Sequence, residues 1–372
     1  MENKFKKIIR YFRIYGFTRT ISKVLGRTRW RIPLWLILSY PNYLKNGKKI
    51  GIIGCGHHAF SSIAFYISSS TRNKISWVGD INEAASSSMA FSYNATDVYD
   101  DFRDPNNIEE IDIVYIASNH ATHAEYAIKY LSNDVDVFIE KPIAVNYDQL
   151  KALDSSRLKS KGKIYSGFNR PNSAAIKTLR KIATGLSSPI SLSCFVIGHV
   201  LPEDHWYRDP KEGTRVISNI AHWIDLAIHI LFWRDEKPDY LDISIQYSDK
   251  SNISENIVIN ITSSNHDLIN LVFSCRGEPF EGVNETINFQ QDDLIVKIDD
   301  FRDIQIWQSE KYMSKKYRPK DNGHKSTVLQ PFSDSSLRRP WNELYHSTAL
   351  TLDIDEMVKN SDHNARYKFT NQ

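Results

Sequence analysis

The sequence predicts two folds in succession. An α/β domain on a parallel sheet starts near Lys49, and an α+β domain on a largely antiparallel sheet follows. Three observations carry this. From Lys49 to about Gly167, short apolar runs alternate with helical stretches, the signature of βαβ units. After Pro171 the texture changes to strand-like alternation with few helices. The length, 372 residues, suits two domains.

The elements follow in order. Residues 4–26 look helical, with Phe5, Ile8, Ile9 and Phe12 at helical spacing and basic residues between them. Pro33 and Pro41 then punctuate a Trp- and Leu-containing stretch. The parallel strands are expected at Ile50–Ile53, Ile75–Gly79, Ile113–Ala117, Val135–Ile139 and Lys163–Phe168. Pro105 and the pair Asn106-Asn107 mark a loop. Beyond Pro171, a helix is expected at Ala174–Ala183. Strands are expected at Ile190–Val196, Tyr240–Tyr247, Asn256–Thr262, Leu268–Ser274, Glu285–Gln290 and Leu294–Ile298, with one helix near Ile220–Phe232. Residues 311–338 are polar, basic and Ser-rich and read as a long loop. Trp341–Lys359 reads as a closing helix that packs back on the first domain. The expected division is 1–47 basic extension, 48–168 first domain, 169–340 second domain, and 341–372 closing helix and tail.

Composition narrows the function classes. The chain is 41% hydrophobic and 24% charged, ordinary for a globular enzyme. Residues 1–49 hold 13 Lys/Arg and one acid, Glu2, whereas the other 323 residues hold 34 basic and 43 acidic residues. An acidic body argues against a nucleic-acid protein and leaves the basic leader to seek an anionic partner. The leader reads either as a membrane-surface helix or as an extension packed on the acidic body or on a second subunit. Cys55, Cys194 and Cys275 form no CxxC pair, so neither a disulfide framework nor a zinc ribbon is expected. No apolar run approaches the roughly 18 residues of a membrane span, and no secretory pattern is seen. Cytoplasmic residence is the expectation.

The strongest local signal is Gly51-Ile52-Ile53-Gly54-Cys55-Gly56-His57-His58-Ala59. It reads as strand, tight turn and helix. Gly54 allows the turn, Gly56 lets the backbone approach a pyrophosphate, and Ala59 keeps the helix close to the strand. The pyrophosphate would lie at the helix N-terminus, where N–H groups and the dipole favour negative charge. This is the fingerprint of a Rossmann dinucleotide-binding domain. Asp80 ends the next strand, 26 residues after Gly54. A carboxylate there suits a ribose diol and repels a 2′-phosphate, so NAD is expected over NADP. Asp80 also suits a helix cap. His57 and His58 are read as polar groups of the cofactor loop, and no metal is expected.

Further motifs resemble a known family. A strand ending in Glu140-Lys141-Pro142 resembles the Gfo/Idh/MocA oxidoreductases, the glucose–fructose oxidoreductase and inositol dehydrogenase group. Ala117-Ser118-Asn119-His120-Ala121-Thr122-His123 resembles that family's loop after the fourth strand. Gly167-Phe168-Asn169-Arg170-Pro171 resembles its crossing into the second domain, and His222-Trp223-Ile224-Asp225 its active-site helix. The resemblance covers about residues 48–360. It implies a Rossmann domain followed by an open-faced sheet domain whose face often joins subunits. It also implies reversible hydride transfer at a sugar, cyclitol or nucleotide-sugar carbon, and a homodimer or homotetramer. By the same resemblance Lys141 sits beside the nicotinamide and the reacting hydroxyl, and Pro142 follows a cis peptide. His222 is the acid/base, Asp225 supports it, and Ser118, Asn119, His120, His123 and Glu140 lie near the cofactor.

These residue types fit the chemistry. Hydride leaves a carbon as a proton leaves its oxygen, so a base must reach the hydroxyl, and a cation beside the oxygen stabilises negative charge there. His222 is of the type that titrates near neutrality. One departure stands out: where many relatives carry Asp four residues before the His, this chain has Ser218, with Asn219 beside it. Either another group substitutes, or the chemistry is altered, or catalysis is lost. A cluster at Gly198-His199, Glu203–Pro210 and Gly213–Arg215 reads as a sugar- or carboxylate-binding loop. There Trp206 and Tyr207 stack on a ring, and Arg208 and Arg215 take a carboxylate or phosphate. Asn169, Arg170, Ser218 and Asn219 complete the expected substrate-binding set, and Arg276 is a weaker candidate.

The leading reading is an NAD-dependent dehydrogenase or reductase of a sugar-like substrate, such as a nucleotide sugar of surface-polysaccharide synthesis. The alternatives are an NAD-binding sensor, scaffold or partner subunit, and a lyase or epimerase with tightly held NAD.

Overall fold

The computed structural model describes residues 9, 11–12, 14–38, 47–71, 73–99, 102, 104, 111–248, 254–279, 282–333 and 338–370. Phe5, Ile8, Pro41, Pro105, Asn106 and Asn107 lie outside them. The chain divides into two compact units, residues 1–168 with 324–339, and residues 169–323 with 340–372.

The first unit begins with helices α1 (Phe17–Thr28) and α2 (Leu34–Ile37). The leader is therefore not one helix over 4–26. Residues 9, 11, 12, 14 and 15 are helical, but Gly16 adopts a φ of 78° and interrupts them. Then come β1 (Ile50–Ile53) and a π-helical turn, Ala59–Ala64, that runs into α3 (Phe65–Ser70). β2 (Ile75–Gly79), α4 (Glu83–Tyr93), β3 (Asp97–Val98), β4 (Ile113–Ile116), α5 (His123–Leu131), β5 (Asp136–Ile139), α6 (Tyr147–Lys159) and β6 (Ile164–Ser166) follow. The six strands lie in the order β3-β2-β1-β4-β5-β6, and every pair is parallel. β1 and β4 are buried at every position, as strands covered on both faces must be. Asn82 and Asn146 cap α4 and α6 by accepting from Ala85 N and Gln149 N.

The second unit holds α7 (Ala174–Ala183), β7 (Ser191–Ile197) and α8 (Ala221–Leu231), the last entered through a π-helical turn, Val216–Ile220. β8 (Tyr240–Tyr247), β9 (Asn256–Ser263), β10 (Leu268–Ser274), β11 (Asn284–Gln291), β12 (Leu294–Asp299), β13 (Asp303–Gln308) and β14 (Lys311–Lys316) follow. α9 (Trp341–Asn360) and β15 (Asn364–Lys368) close the chain. The strands form one nine-stranded sheet, β14-β13-β12-β11-β7-β10-β9-β8-β15, antiparallel except for the β7–β10 pair. Alternation sorts its faces. Leu192, Cys194 and Val196 are buried, whereas Ser193 is half-buried and Phe195 exposed. On the same face as Ser193, strand register aligns Gln305, Lys297, Asn288, Ser193, Asn270, Asn260 and Ser244 in one polar row.

Three expectations are corrected. Residues 311–338 are not one loop, since β14, a short helix at His324–Val328 and a turn at Gln330–Phe332 form there. That short helix belongs to the first unit, where Tyr115 Oη donates to Val328 O and Gln330 Nε2 donates to Ser166 O. The closing helix α9 belongs to the second unit and packs on α8.

Candidate active site

In the first unit the expected cofactor residues gather at the C-terminal ends of β1, β4 and β5. β1 lies between β2 and β4, so the strand order reverses there, the usual place for a ligand in an open parallel sheet. Gly54 has a φ of 85°, and a Cβ on it would lie 2.4 Å from Ala117 O and 2.6 Å from Ser118 N. Only glycine permits both this turn and this approach of β1 to β4. A Cβ on Gly56 would meet open space. That is the clearance a pyrophosphate needs to approach the backbone ahead of a helix N-terminus. Ala59 is buried. These residues fit a dinucleotide.

Asp80 ties the turn together. Its Oδ2 accepts from Cys55 N at 2.6 Å and its Oδ1 from Asn82 N at 2.8 Å. The helix cap proper is Asn82. The imidazole of His57 turns away toward the leader, with Nε2 3.2 Å from Lys23 O. Burial, aided by Arg27 and Lys23, lowers its pKa to about 4, so the neutral ring donates to that carbonyl. His58 faces the Glu140 carboxylate, Nε2 to Oε1 3.1 Å, and its ring lies 5.6 Å from that of His324.

The Glu140-Lys141-Pro142 turn carries a cis Lys141–Pro142 bond. Burial opposes ionisation of Glu140, but His58, Lys141 and His123 together hold its pKa below the ordinary carboxylate value. Its Oε2 accepts from Lys141 N at 3.1 Å. Gly167 makes room for it, since a Cβ there would lie 2.8 Å from Glu140 Cα. His123 is fully buried and joins two loops, with Nδ1 2.8 Å from Pro142 O and Nε2 3.1 Å from Ser118 O. Burial lowers its pKa, and a neutral ring donates to one carbonyl at a time. It therefore positions the cofactor loops rather than touching a ligand. His120 is buried beside it, with ring centroids 6.0 Å apart. Ser118 Oγ lies 2.8 Å from Thr122 Oγ1, which donates to Asn119 Oδ1.

Sequence reasoning missed Arg29, Lys23 and His324. Arg29 Nη1 donates to Cys55 O at 2.8 Å, so the leader grips the glycine turn from outside. Nothing in the sequence flagged this beyond the basic character of the leader.

In the second unit His222 is half-buried on α8, its ring 5.9 Å from that of Trp223. Ser218 is buried in the π-helical turn and donates to Asn219 Oδ1 at 3.2 Å. Asp225 is fully buried and accepts from Ser347 Oγ at 2.8 Å. It joins α8 to α9, a positioning contact.

Several expected substrate ligands are also corrected. Arg170 is buried and forked onto Glu285 at 2.7 and 3.1 Å, while Trp223 Nε1 donates to the same carboxylate at 2.7 Å. Asn169 is buried and donates to Asn322 O. Arg208 donates to Leu201 O, Pro202 O and Glu255 Oε1 but stays exposed, so it is not among those corrected. Arg215 is buried, donates to His199 O and Cys275 Sγ, and lies 3.4 Å from Glu255. A buried guanidinium requires an internal counter-charge, and here those charges already face one another. Glu255, which nothing in the sequence singled out, collects two of them. Trp206 remains 46% exposed and stands perpendicular to Tyr207, with ring centroids 4.3 Å apart. Trp206 also lies nearly parallel to the His205 ring, 22° at 6.0 Å. Arg276 is exposed. Among the described residues, no group of three or more His, Cys, Asp or Glu is placed to hold a metal ion.

A six-stranded parallel sheet in this order, with a glycine turn at its switch point, defines the first unit as a dinucleotide-binding domain. The sequence model of the Gfo/Idh/MocA oxidoreductase family, an NAD-binding Rossmann fold, matches residues 48–168. The inositol 2-dehydrogenase of Ralstonia nicotianae is 24% identical over 210 residues, 55% of this chain and 58% of that one. The inositol 2-dehydrogenase/D-chiro-inositol 3-dehydrogenase of Lacticaseibacillus casei is 30% identical over 207 residues, 55% of this chain and 57% of that one. The match thus spans less than two thirds of these relatives. Among solved structures, a levoglucosan dehydrogenase in complex with NADH and L-sorbose superposes with a TM-score of 0.72 at 12% identity, covering 88% of this chain and all of that one. The myo-inositol dehydrogenase of Lactobacillus casei, with NAD(H) and myo-inositol, gives 0.67 at 17% identity, covering 88% of this chain and 98% of that one. At these identities the likeness shows a shared two-domain fold.

Proposed function

We propose that the protein is an NAD(H)-dependent oxidoreductase acting at a carbinol carbon of a sugar-like substrate, with a nucleotide sugar as the finer reading. One observation carries this: the segment after the glycine turn and the Ser118 loop are both tied to the Glu140-Lys141-Pro142 turn, the first through His58–Glu140 and the second through His123. NAD, when bound, takes up or returns a hydride equivalent. Gly54, Gly56 and the helix N-terminus hold the pyrophosphate, and Asp80 takes the ribose diol. Lys141 supplies positive charge at the reacting oxygen. His222 takes or returns the hydroxyl proton, with Asp225 holding α8 in place. Trp206 and Tyr207 offer a stacking surface. The expected assembly is a homodimer or homotetramer in the cytoplasm, joined through the polar row of the nine-stranded sheet.

The test follows absorbance at the reduced-nicotinamide band after NAD is added with inositols, hexoses, UDP-hexoses and hexuronates. Lys141→Ala and His222→Gln are run alongside wild type. NADH formed by wild type and lost in both variants supports the reading. NAD bound but never reduced across the panel favours a second reading, an NAD-binding sensor, scaffold or partner subunit. The neutral Ser218–Asn219 pair, where the family resemblance implies an Asp in many members, motivates that alternative. Cofactor that survives purification and cycles without net reduction would instead indicate a lyase or epimerase.

A further inference from the structure

The N-terminal region has two faces. Its inner face is part of the first unit. Leu25, Leu34 and Leu38 are buried there, and Gly26 lets α1 close on Phe60, since a Cβ at Gly26 would lie 3.2 Å from that ring. Ser22 Oγ lies 2.8 Å from Tyr93 Oη, which donates to Phe60 O, and Arg19 bonds Tyr66 Oη. The leader is therefore docked.

Its outer face is apolar. Leu34 and Leu38 anchor α2 one turn apart, and the three residues between them point outward, with Trp35 40%, Leu36 58% and Ile37 46% exposed. Trp30 is 65% exposed, and Phe12 and Phe17 are 51% and 61% exposed with their rings 6.3 Å apart. A helix lying on a protein in water carries polar residues on its outer arc; this one carries Trp, Leu and Ile. The segment's own charge has one sign. No acidic residue occurs between Glu2 and Asp80, and Arg27 and Arg31 are exposed. An apolar, Trp-bearing segment with exposed arginines along it and no acid of its own after Glu2 has the composition that enters a lipid–water interface beside anionic headgroups. A basic protein partner would be repelled. Among the described residues no helix is long and apolar enough to cross a membrane, so the contact lies at the membrane surface.

We propose that this face docks the protein on an anionic lipid bilayer through Phe12, Phe17, Trp30, Trp35, Leu36 and Ile37, with Arg27 and Arg31 at the headgroups. The docking goes beyond the oxidoreductase reading and does not depend on it.

The test is sedimentation of the full chain with vesicles of phosphatidylcholine alone, or of phosphatidylcholine mixed with phosphatidylglycerol, with tryptophan emission recorded. The expected result is pelleting with the mixed vesicles, a blue shift, and weakening by salt. Trp30→Ser with Ile37→Ser lowers partitioning by about tenfold or more. Arg27→Gln with Arg31→Gln lowers it and flattens the salt dependence. All four positions face outward, and an NADH titration of each variant reports that the first unit is intact. Three outcomes overturn the proposal. One is no pelleting at low salt by a chain that binds NADH. Another is pelleting unchanged in the Trp30/Ile37 variant. The third is self-association, abolished by that variant, in place of vesicle binding, which assigns the face to a second copy. None of these bears on NAD turnover.

Discussion

The guanidinium of Arg29 donates to the carbonyl oxygen of Cys55, 2.8 Å away, in the middle of the cofactor turn. Arg29 also ends α1 in the left-handed conformation, φ 58° and ψ 21°, which a non-glycine residue seldom adopts. A residue outside the family-like part of the chain thus helps to shape the dinucleotide site. Charged hydrogen bonds contribute about 1.5–3 kcal/mol. Arg29→Ala is expected to weaken NADH binding about tenfold, measured by fluorescence titration, with little change in the far-ultraviolet spectrum. An unchanged affinity would show that the turn keeps its shape alone.

Gly54→Ala is expected to fail twice over. The new Cβ would lie 2.4 Å from Ala117 O, and the backbone is held at a φ of 85°. Overpacking of this kind costs about 1–3 kcal/mol, and the β1–β4 approach is lost with it. NADH binding should disappear and the melting temperature fall by several degrees. Gly56→Ala, whose Cβ meets open space, should lose binding at near wild-type melting temperature.

Acid should loosen the leader through His57. Its folded pKa is about 4 against an ordinary 6.5. Between these values the unfolded chain binds the extra proton, so the stability from this neutral histidine is complete above about 6.5 and fades as pH falls through about 4. His123 and His346 are shifted in the same direction. Melting temperature against pH should therefore be compared between wild type and His57→Gln. The variant should show a shallower fall over this window. Parallel curves would remove His57 from the account.

Glu285→Gln should destabilise the second unit. It would leave Arg170 buried without its counter-charge and weaken the acceptor of Trp223 Nε1. Breaking such a pair typically costs about 3–5 kcal/mol, read from urea unfolding. If Arg170 were instead a substrate ligand, the variant would keep its stability and lose only substrate affinity.

Local pattern determined much of this protein. The parallel strands, the glycine turn and the alternating strands of the second domain were legible because side-chain period and turn chemistry are set within a few residues. β1, β2, α7, β8 and β10 fall at their expected positions. β3, β13, β14 and β15 were not foreseen: β3, β14 and β15 are edge strands with little apolar signal, whereas the alternation of Ile304 and Ile306 in β13 was legible and passed over. Tertiary structure alone decided the partners of the charged groups. Arg170 and Arg215 look alike in sequence to arginines that await a ligand, but Glu285 and Glu255, distant along the chain, already face them. The same holds for His123 between Ser118 and Pro142, for Asp225 on Ser347 and for Arg29 on Cys55. Periodicity reports which face of an element is buried; which counter-charge or carbonyl meets a polar group there depends on contacts far apart in the chain.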